Sequence, residues 1–500
     1  MRSSLCIFHN AMAAPRRDIP ELATDEFLRN MLEAIDNGWR VSAYFGAPQG
    51  SSFQLYCLLS SKADGMLGMM STKVTANSIP SLTPLSPQLH LFEREIAEQY
   101  GIVFENHPWL KPVRFQNPLV NHNDNDRHKP GVMDFYQVQG DEVHEVAVGP
   151  VHAGIIEPGH FRFNCYGEQV LHLEISLGYQ HRGVERMLLG GPYPKTLHQM
   201  ETVAGDTTIG HALAYTMIME ALSDGMVPAR AHAIRGIALE LERLANHTGD
   251  LGALAGDVGY LPTASFCGRI RGDFLNMTAE LCGSRFGRGL LVPGGVNFDC
   301  STAQAEGLLK RIDTARAELA NAVELLWNTP SVMGRLENTG VVSEKIAREL
   351  GLVGPAARAC GLNRDIRRDH PFGIYSISQI PVVTAKTGDV YARTLVRWLE
   401  VEKSLDFIEE QLRHLPGVAF RSPVGNIAAD HVTIALTEGW RGEVCHVAIT
   451  DENGRFARYK ITDPSFHNWQ GVAMAMRGQQ ISDFPLCNKS FNLSYCGFDL

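Results

Sequence analysis

Three long segments between residues 229 and 417 repeat apolar residues at helical spacing. The first segment carries one continuous stripe: Ile234, Ile237, Leu241, Leu244, Thr248 and Leu251. The second begins with the capping-box pair Ser301 and Gln304, and Pro330 is expected to end it. Its predicted inward residues are Leu309, Ile312, Leu319, Val323 and Leu326. The third, TLVRWLEVEKSLDFIEEQLRHLPG, ends at Pro416 and Gly417. Amphipathic helices bury their apolar faces against one another, so these segments predict a helix bundle.

Strand patterns lie on both sides of the predicted helices. VSAYFG (41–46) and SFQLYCLLSS (52–61) favour strands, and LHLFEREIAEQYG (89–101) favours a helix. Residues 146–178 read as short strands, and 443–461 as a hairpin around Asp-Glu-Asn-Gly. The fold class is therefore predicted as α+β.

The polar segment NPLVNHNDNDRHKPG (117–131) has the composition of an exposed connector and indicates a domain boundary. We predict an N-terminal segment (1–19), a small α+β domain (20–116), a polar linker (117–144) and a large, mainly helical domain with β flanks (145–500).

Charge and hydropathy exclude several classes of function. The net charge of −10 and the pI near 6.0 argue against a nucleic-acid surface, and the acidic balance disfavours an anionic leaflet. No run of 18 apolar residues occurs, and MRSSLCIFHNAMAAPRRD is too short in apolar character for a secretory signal. We expect a cytoplasmic protein that reaches a membrane only through partners.

The ten cysteines are scattered, and no two of them form a CxxC pair. Structural zinc, most iron–sulfur clusters and dithiol redox sites use closely spaced thiolates. The spacing therefore favours reduced cysteines in a core and predicts no metal site formed by this chain alone.

Several motifs occur in the order found in a known family. They are GPVHAGIIEPGHFRF (149–163), GYQHRGVERML (178–188), IALELERLANH (237–247), GSRFGRGLLVPGGV (283–296) and ITDPSFHNWQGV (461–472). Together they resemble the large subunit of energy-converting (formate hydrogenlyase-type) nickel–iron hydrogenases and the related large subunit of the complex I quinone module. Upstream, EREIAEQYGIVFENHPWL (93–110) resembles the small complex I subunit that precedes it, and the two are fused in formate hydrogenlyase-type proteins. The resemblance covers residue 20 to the end.

The resemblance implies the fold and the partners. The fold is that of a hydrogenase large subunit or complex I quinone-module subunit. The partners are a small iron–sulfur subunit of the complex I type, a ferredoxin-like subunit and ion-translocating membrane-arm subunits. The iron–sulfur cluster then belongs to a partner, this chain binds no cofactor itself, and NAD and quinone are candidate substrates of the whole complex.

The cysteines that hold nickel and iron in this family are missing. The first CxxC pair would fall on Ala204 and Thr207, and the second on Ser494 and Gly497. Cys496 lies one residue away from a ligand position and supplies one sulfur at most. The chain stops at Leu500, without the tail that maturation proteases remove in many hydrogenases. Hydrogenase activity is therefore not expected.

The residues implicated in quinone binding by complex I are also replaced. A second His after the Gly-Pro motif corresponds to Ile156, and a Tyr in the first-pair loop corresponds to Gly205. The resemblance thus leaves the acceptor open.

Six residues are candidates for a proton relay or an acceptor pocket. They are His152, Glu157 and His160 in a Gly- and Pro-rich turn, and Glu201, Asp206 and His211 around the emptied metal loop. For the turn, the alternative is that the side chains only hydrogen-bond the loop.

Two further sets of charged residues favour structural use. His181, Arg182 and Glu185 have the spacing of one helix face, which suits a salt-bridged interface or a cavity wall. Arg269, Arg285 and Arg288 are expected to form ion pairs within the subunit, the alternative being an approach to a partner's cluster.

Three functions compete. The first is a catalytic subunit that passes electrons from a partner's iron–sulfur cluster to an unidentified acceptor such as quinone, coupled to ion translocation. The second is a non-catalytic scaffold that docks the iron–sulfur subunit to the membrane arm. The third is a true hydrogenase, against which the missing thiolates argue directly.

Overall fold

Two mainly antiparallel sheets flank a core of long helices in this computed structural model, which describes residues 4–49, 52–119, 132–152 and 156–500. The strands are β1 (Cys6–Phe8), β2 (Ala13–Pro15), β3 (Glu21–Leu22), β4 (Arg40–Gln49), β5 (Ser52–Ser61), β6 (Met66–Val74), β7 (Ser78–Pro80), β8 (Val103–Glu105), β9 (Val143–Val148), β10 (His160–Tyr166), β11 (Gln169–Ser176), β12 (Leu291–Val292), β13 (Gly295–Val296), β14 (His431–Gly439), β15 (Gly442–Thr450) and β16 (Phe456–Thr462). The helices are α1 (Thr24–Asp36), α2 (His90–Tyr100), α3 (Val184–Leu188), α4 (Thr196–Met200), α5 (Thr208–Leu222), α6 (Ala229–Asp257), α7 (Leu261–Cys282), α8 (Thr302–Trp327), α9 (Pro330–Leu336), α10 (Glu344–Glu349), α11 (Gly354–Arg358), α12 (Ile366–Asp369), α13 (Val390–Arg413), α14 (Pro464–Ala475), α15 (Phe484–Phe491) and α16 (Tyr495–Asp499).

The N-terminal sheet has the order β1-β6-β5-β4, and β3 adds to β6 in parallel. Side chains of a strand alternate between its two faces, and both faces of β5 are buried. Leu55, Cys57 and Leu59 pack with the residues of α1 and α2, whereas Tyr56 and Leu58 join the core of the large domain. The predicted strands and helix of this region are confirmed. On the side away from its own helices, the sheet contacts β16, where Arg458 Nε donates to the Gly46 carbonyl at 2.9 Å.

Helices α6, α8 and α13 form the predicted bundle, and α7, which was not predicted, packs with α6 and α8. Every predicted stripe residue of α6 is buried, and Ser301 with Gln304 forms the predicted capping box at the start of α8. Two details differ from the prediction. Leu309 is only partly buried because the helix turns Leu308 fully inward, and Pro330 opens α9 as its first residue.

A second sheet, ordered β16-β15-β14-β2, carries the site. The predicted hairpin is β15–β16, and β2 from the N-terminal segment pairs with β14, Pro15 opposite His431. The predicted α+β fold class is confirmed. Within the predicted linker, residues 120–131 lie outside the described residues, and the domain boundaries stay predictions. In the part of the chain that the structure describes, no helix is long and apolar enough to cross a membrane.

Candidate functional site

Two segments distant in sequence meet beside the second sheet: the loop before α5 and the C-terminal segment that carries α16. Arg441, in the turn between β14 and β15, joins them. Its Nη1 and Nη2 donate to the two carboxylate oxygens of Asp206 at 2.6 and 2.7 Å, and its Nε donates to the carbonyl of Asn492. The guanidinium also stacks on Trp440, 3.9 Å from the ring centroid. Arg441 thus holds Asp206 in a bidentate ion pair where the two segments meet.

The four positions aligned with the family's metal ligands lie in these two segments, but their chemistry does not suit a nickel–iron centre. Ala204 is buried and has no ligand atom, and Thr207 offers a hydroxyl. Ser494 Oγ accepts the N–H of Gly497 at 2.9 Å and caps α16. A β-carbon at Gly497 would lie 2.8 Å from the carboxyl carbon of Asp463, so even a cysteine there would require Asp463 to move. With no thiolate at any of the four positions, the residues do not fit this metal.

Cys496 lies next to these positions, half-buried, with its Sγ 3.4 Å from Ser494 Oγ. Burial, together with the nearby Glu157 carboxylate, raises the pKa of Cys496 to about 11. The thiol is therefore protonated at neutral pH, and its single sulfur is too few to hold a binuclear nickel–iron centre. Among the described residues, no group of three His, Cys, Asp or Glu side chains is arranged to hold a metal ion.

His211 belongs to a buried chain of hydrogen-bonded side chains behind Arg441. Its Nε2 lies 3.1 Å from Asp463 Oδ2 and its Nδ1 lies 3.0 Å from His446 Nε2, and His446 Nδ1 lies 2.9 Å from the Tyr459 hydroxyl. With both imidazoles neutral, the Tyr459 hydroxyl donates to His446, His446 donates to His211, and His211 donates to Asp463. Burial would raise the pKa of Asp463, but the hydrogen bond from His211 and the charge of Arg441 lower it below its usual value. Asp463 is therefore a second carboxylate beside Arg441.

The Gly- and Pro-rich turn brings Glu157 to the site. Its carboxylate accepts the backbone N–H groups of Tyr495 and Cys496 at 3.3 and 3.2 Å, at the start of α16. A carboxylate at this helix end stabilises the free N–H groups. Glu157 therefore lies against the C-terminal segment.

His152 and His160 hydrogen-bond their own loop. His152 Nε2 lies 2.9 Å from the Gly159 carbonyl, and His160 Nδ1 lies 3.4 Å from the Gly149 carbonyl. Burial lowers the pKa of His160. These contacts match the alternative of a turn held by its histidines; residues 153–155 lie outside the described residues.

Glu201 is also held away from Asp206. It is buried, accepts the N–H of Gly289 at 2.6 Å and lies 3.2 Å from His198 Nδ1. The structure thus pairs Asp206 with Arg441, links His211 to this site through Asp463, and places Glu157 at the start of α16. Glu201 lies on the loop before α5.

The remaining charged candidates serve the framework. His181 and Arg182 precede α3 and do not share a helix face with Glu185, because Gly183 adopts a positive φ of 69° before the helix begins. Glu185 accepts from Arg458 at 2.8 Å and lies 3.1 Å from Lys460 Nζ, in a buried cluster between the domains. Arg182 donates to backbone carbonyls of both site segments.

The ion pairing predicted for Arg269 is confirmed by its contacts with Asp273 and Glu318, at 2.9 and 2.5 Å. Arg285 lines a small cavity beside Asp206.

Sequence reasoning missed Arg441, Asp463 and Glu242, since they lie on separate elements that only the fold brings to the metal loop. Arg441 follows Trp440 in a tight turn between two strands. An arginine at such a turn was the one feature of the sequence that could have indicated Arg441 as a site residue.

Two family models match the chain: "Respiratory-chain NADH dehydrogenase, 30 Kd subunit" at residues 15–124, and the "49 Kd subunit" of the same enzyme at 257–436 and 418–499. "Carbon monoxide-induced hydrogenase" of Rhodospirillum rubrum is 30% identical over 349 residues, which are 69% of this chain and 96% of that protein. The chain belongs to this family of hydrogenase large subunits and homologous complex I subunits.

Further relatives match over most of their own length. "Formate hydrogenlyase subunit 5" of Escherichia coli (strain K12) is 29% identical over 92% of this chain and 84% of its own. "NADH-quinone oxidoreductase subunit 4" of Thermus thermophilus is 28% identical over 68% and 90%. Among solved structures, the archaeal membrane-bound sulfane sulfur reductase covers 73% of this chain and 100% of its own, with a TM-score of 0.67 and 23% identity, which shows the shared fold. The chain is thus a member of this family whose metal-ligand positions hold no cysteine, and its relatives are subunits of oxidoreductase complexes.

Proposed function

We propose that this chain forms the acceptor site of a membrane-associated redox complex, where electrons from a partner's iron–sulfur cluster reduce an acceptor that also takes up protons. The complex would couple this reaction to ion translocation and would hold the chain on the cytoplasmic face of the membrane through its partners. The expected partners are the small iron–sulfur subunit, a ferredoxin-like subunit and the membrane-arm subunits. The relatives named above, from formate hydrogenlyase and NADH-quinone oxidoreductase, support membership in such a complex.

One observation carries the proposal: polar, titratable groups remain where the metal-binding segments meet. The Asp206–Arg441 pair, Asp463 with His211, and Glu157 converge there. Hydrogen-bond donors and carboxylates suit an acceptor whose oxygen or sulfur atoms gain charge and protons on reduction. A metal-bound hydride has no place in this mechanism, because the residues do not fit the nickel–iron centre.

The test uses the complex purified with its partners, its clusters reduced chemically. We expect iron at cluster level, no stoichiometric nickel, and reoxidation of the clusters by one of two added acceptors, a short-chain quinone or a soluble polysulfide. Asp206→Asn should slow that reoxidation, whereas Glu318→Gln on the exposed face of α8 should not. Stoichiometric nickel with hydrogen uptake would overturn the proposal.

A scaffold without catalysis is the second candidate, and it is favoured by the contacts of Glu157 and Arg441 with backbone groups of the C-terminal segment. In a scaffold, the polar groups only hold the two segments together. An intact complex that reduces neither acceptor, and that falls apart on Asp206→Asn, would support the scaffold.

A further inference from the structure

Glu242 lies directly behind the emptied metal loop and has no part in the site described so far. It projects from α6 towards the start of α5, where its two carboxylate oxygens accept the N–H groups of Ile209 and Gly210 at 2.7 and 3.2 Å. Thr207, the residue before α5, is one of the family's ligand positions. The carboxyl of Glu242 therefore sits one layer behind the acceptor site.

A small cavity connects Glu242 with Asp206. It has a volume of about 10 Å³ and is lined by both carboxyl side chains, together with Thr208, Asn246, Thr278, Arg285 and Phe286. This is room for about one water molecule, and the lining supplies the polar partners that a buried water needs. Phe286 is 41% exposed, so the cavity lies close to the surface.

The surroundings of Glu242 favour the protonated form of its carboxyl group over the carboxylate. Asp206 faces it from the loop, Arg285 faces the cavity from the segment after α7, and Arg243 is the neighbouring residue on α6. Arg243 is engaged elsewhere, with Glu240 and with the carbonyls of Glu438 and Gly439. Burial and Asp206 raise the pKa of Glu242 to about 8, against the lowering by the two backbone N–H groups and Arg243.

We propose that Glu242 supplies protons to the acceptor site through Asp206. The inference rests on the proposed function. In the step, the O–H bond of Glu242 breaks and its proton passes to a water in the cavity, which releases a proton to the carboxylate of Asp206. Asp206 passes it to the acceptor, which receives its electrons from the partner's reduced cluster, and the Glu242 carboxylate is reprotonated from solvent at the Phe286 end. Glu242 acts through Asp206 and is a positioning residue.

The sign of the pH dependence follows from this role. A donor must be protonated, so turnover should be constant below about pH 8 and should fall above it. In Glu242→Gln, which has the same shape and keeps an oxygen for the Ile209 N–H, kcat should fall about 100-fold with KM unchanged. That variant should also lose the alkaline limb. Glu242→Asp, which retains a carboxyl, should recover part of kcat and a shifted limb.

The experiment measures both turnover and protonation on the purified complex. Steady-state acceptor reduction is followed from pH 6 to 10 for the wild type, Glu242→Gln, Glu242→Asp and the control Thr314→Val, which removes an exposed hydroxyl of α8 outside the cavity. Infrared difference spectra between pH 7 and pH 9 report the protonated carboxyl directly, without turnover. We expect a carboxyl band that the wild type and Thr314→Val lose with a midpoint near 8 and that Glu242→Gln lacks.

The two arms separate the two proposals. A wild-type band that survives in Glu242→Gln, or an alkaline limb that survives in that variant, overturns the role of Glu242. Reduction of no acceptor by the wild type overturns the proposed function, and with it this proton pathway, even where the infrared band is present.

Discussion

The helical core and the metal loop of this chain both bury carboxylates, but they hold them in different ways. In the core, Glu240 accepts from Arg243 at 3.0 Å and from Arg367, Tyr375 and Ser404 at 3.1, 2.6 and 2.6 Å. Around the loop, Glu157, Glu201, Glu242 and Asp499 accept mainly from backbone N–H groups.

The difference decides which groups can change charge near neutral pH. Burial disfavours the charged form of a carboxyl and so tends to raise its pKa, but in the core the arginines reverse this effect and lower the pKa of Glu240 to about 2. Glu242 and Asp499 accept from backbone N–H groups and not from an arginine, and burial raises their pKa to about 8 and about 6. Glu438 is an exception in the core, with a pKa of about 7, because burial and Asp365, with which it shares Arg358, outweigh that arginine. Fully paired charges thus build the framework, and carboxyls bound to backbone N–H groups surround the site.

The largest effect should come from breaking the core network. Glu240→Ala leaves Arg243 and Arg367 buried without this partner and should lower the free energy of unfolding by about 3–5 kcal/mol. Urea unfolding followed by tryptophan fluorescence measures it. The control is Arg269→Ala, which removes an exposed pair and should cost about 0–1 kcal/mol. Equal losses in the two variants would contradict the comparison.

The sequence predicted the framework better than the site for a physical reason. Helix periodicity, the Ser301–Gln304 capping box and the β15–β16 hairpin depend on neighbouring residues, and all three are confirmed. The site depends on contacts between residues far apart, such as Asp206 with Arg441 across 235 positions, and no local pattern signals them.

Motif order carried the prediction further than periodicity. It located the emptied ligand positions and singled out Glu157, Asp206 and His211, which the fold brings to one place. The motifs did not indicate Glu242 as a site residue, because the sequence around it on α6 has the ordinary pattern of an amphipathic helix.

The second effect concerns pH and stability. Asp499 accepts the N–H groups of Gly178 and Gln180, and burial raises its folded pKa to about 6, above the unfolded value of about 3.9. The folded state therefore holds the proton more tightly, and stability should be highest below about pH 4, fall by about 2–3 kcal/mol up to about pH 6, and then level off. Asp499→Asn should remove this decline in urea unfolding measured from pH 4 to 7. A decline of the same size in the variant would assign it to other groups.

The third effect tests Arg441 through its geometry. Arg441→Lys keeps the positive charge but loses the bidentate contact with Asp206 and the stacking on Trp440. Misplacing Asp206 should reduce acceptor reduction by about 10- to 100-fold. The assay is cluster reoxidation by the purified complex, with Arg311→Lys, at an exposed pair with Glu280, as control. Wild-type rates in Arg441→Lys would show that charge alone is sufficient.

The smallest effect separates a ligand position from an ordinary helix cap. Ser494 stands where the family has a cysteine, but its hydroxyl caps α16 by accepting the Gly497 N–H, as Ser343 caps α10 by accepting the Ile346 N–H. Each change to alanine should cost about 1 kcal/mol in urea unfolding, because each removes one capping bond. If Ser494→Ala instead leaves stability unchanged while slowing acceptor reduction, the hydroxyl acts on the acceptor. In that case the vacated ligand position belongs to the site as well as to the framework.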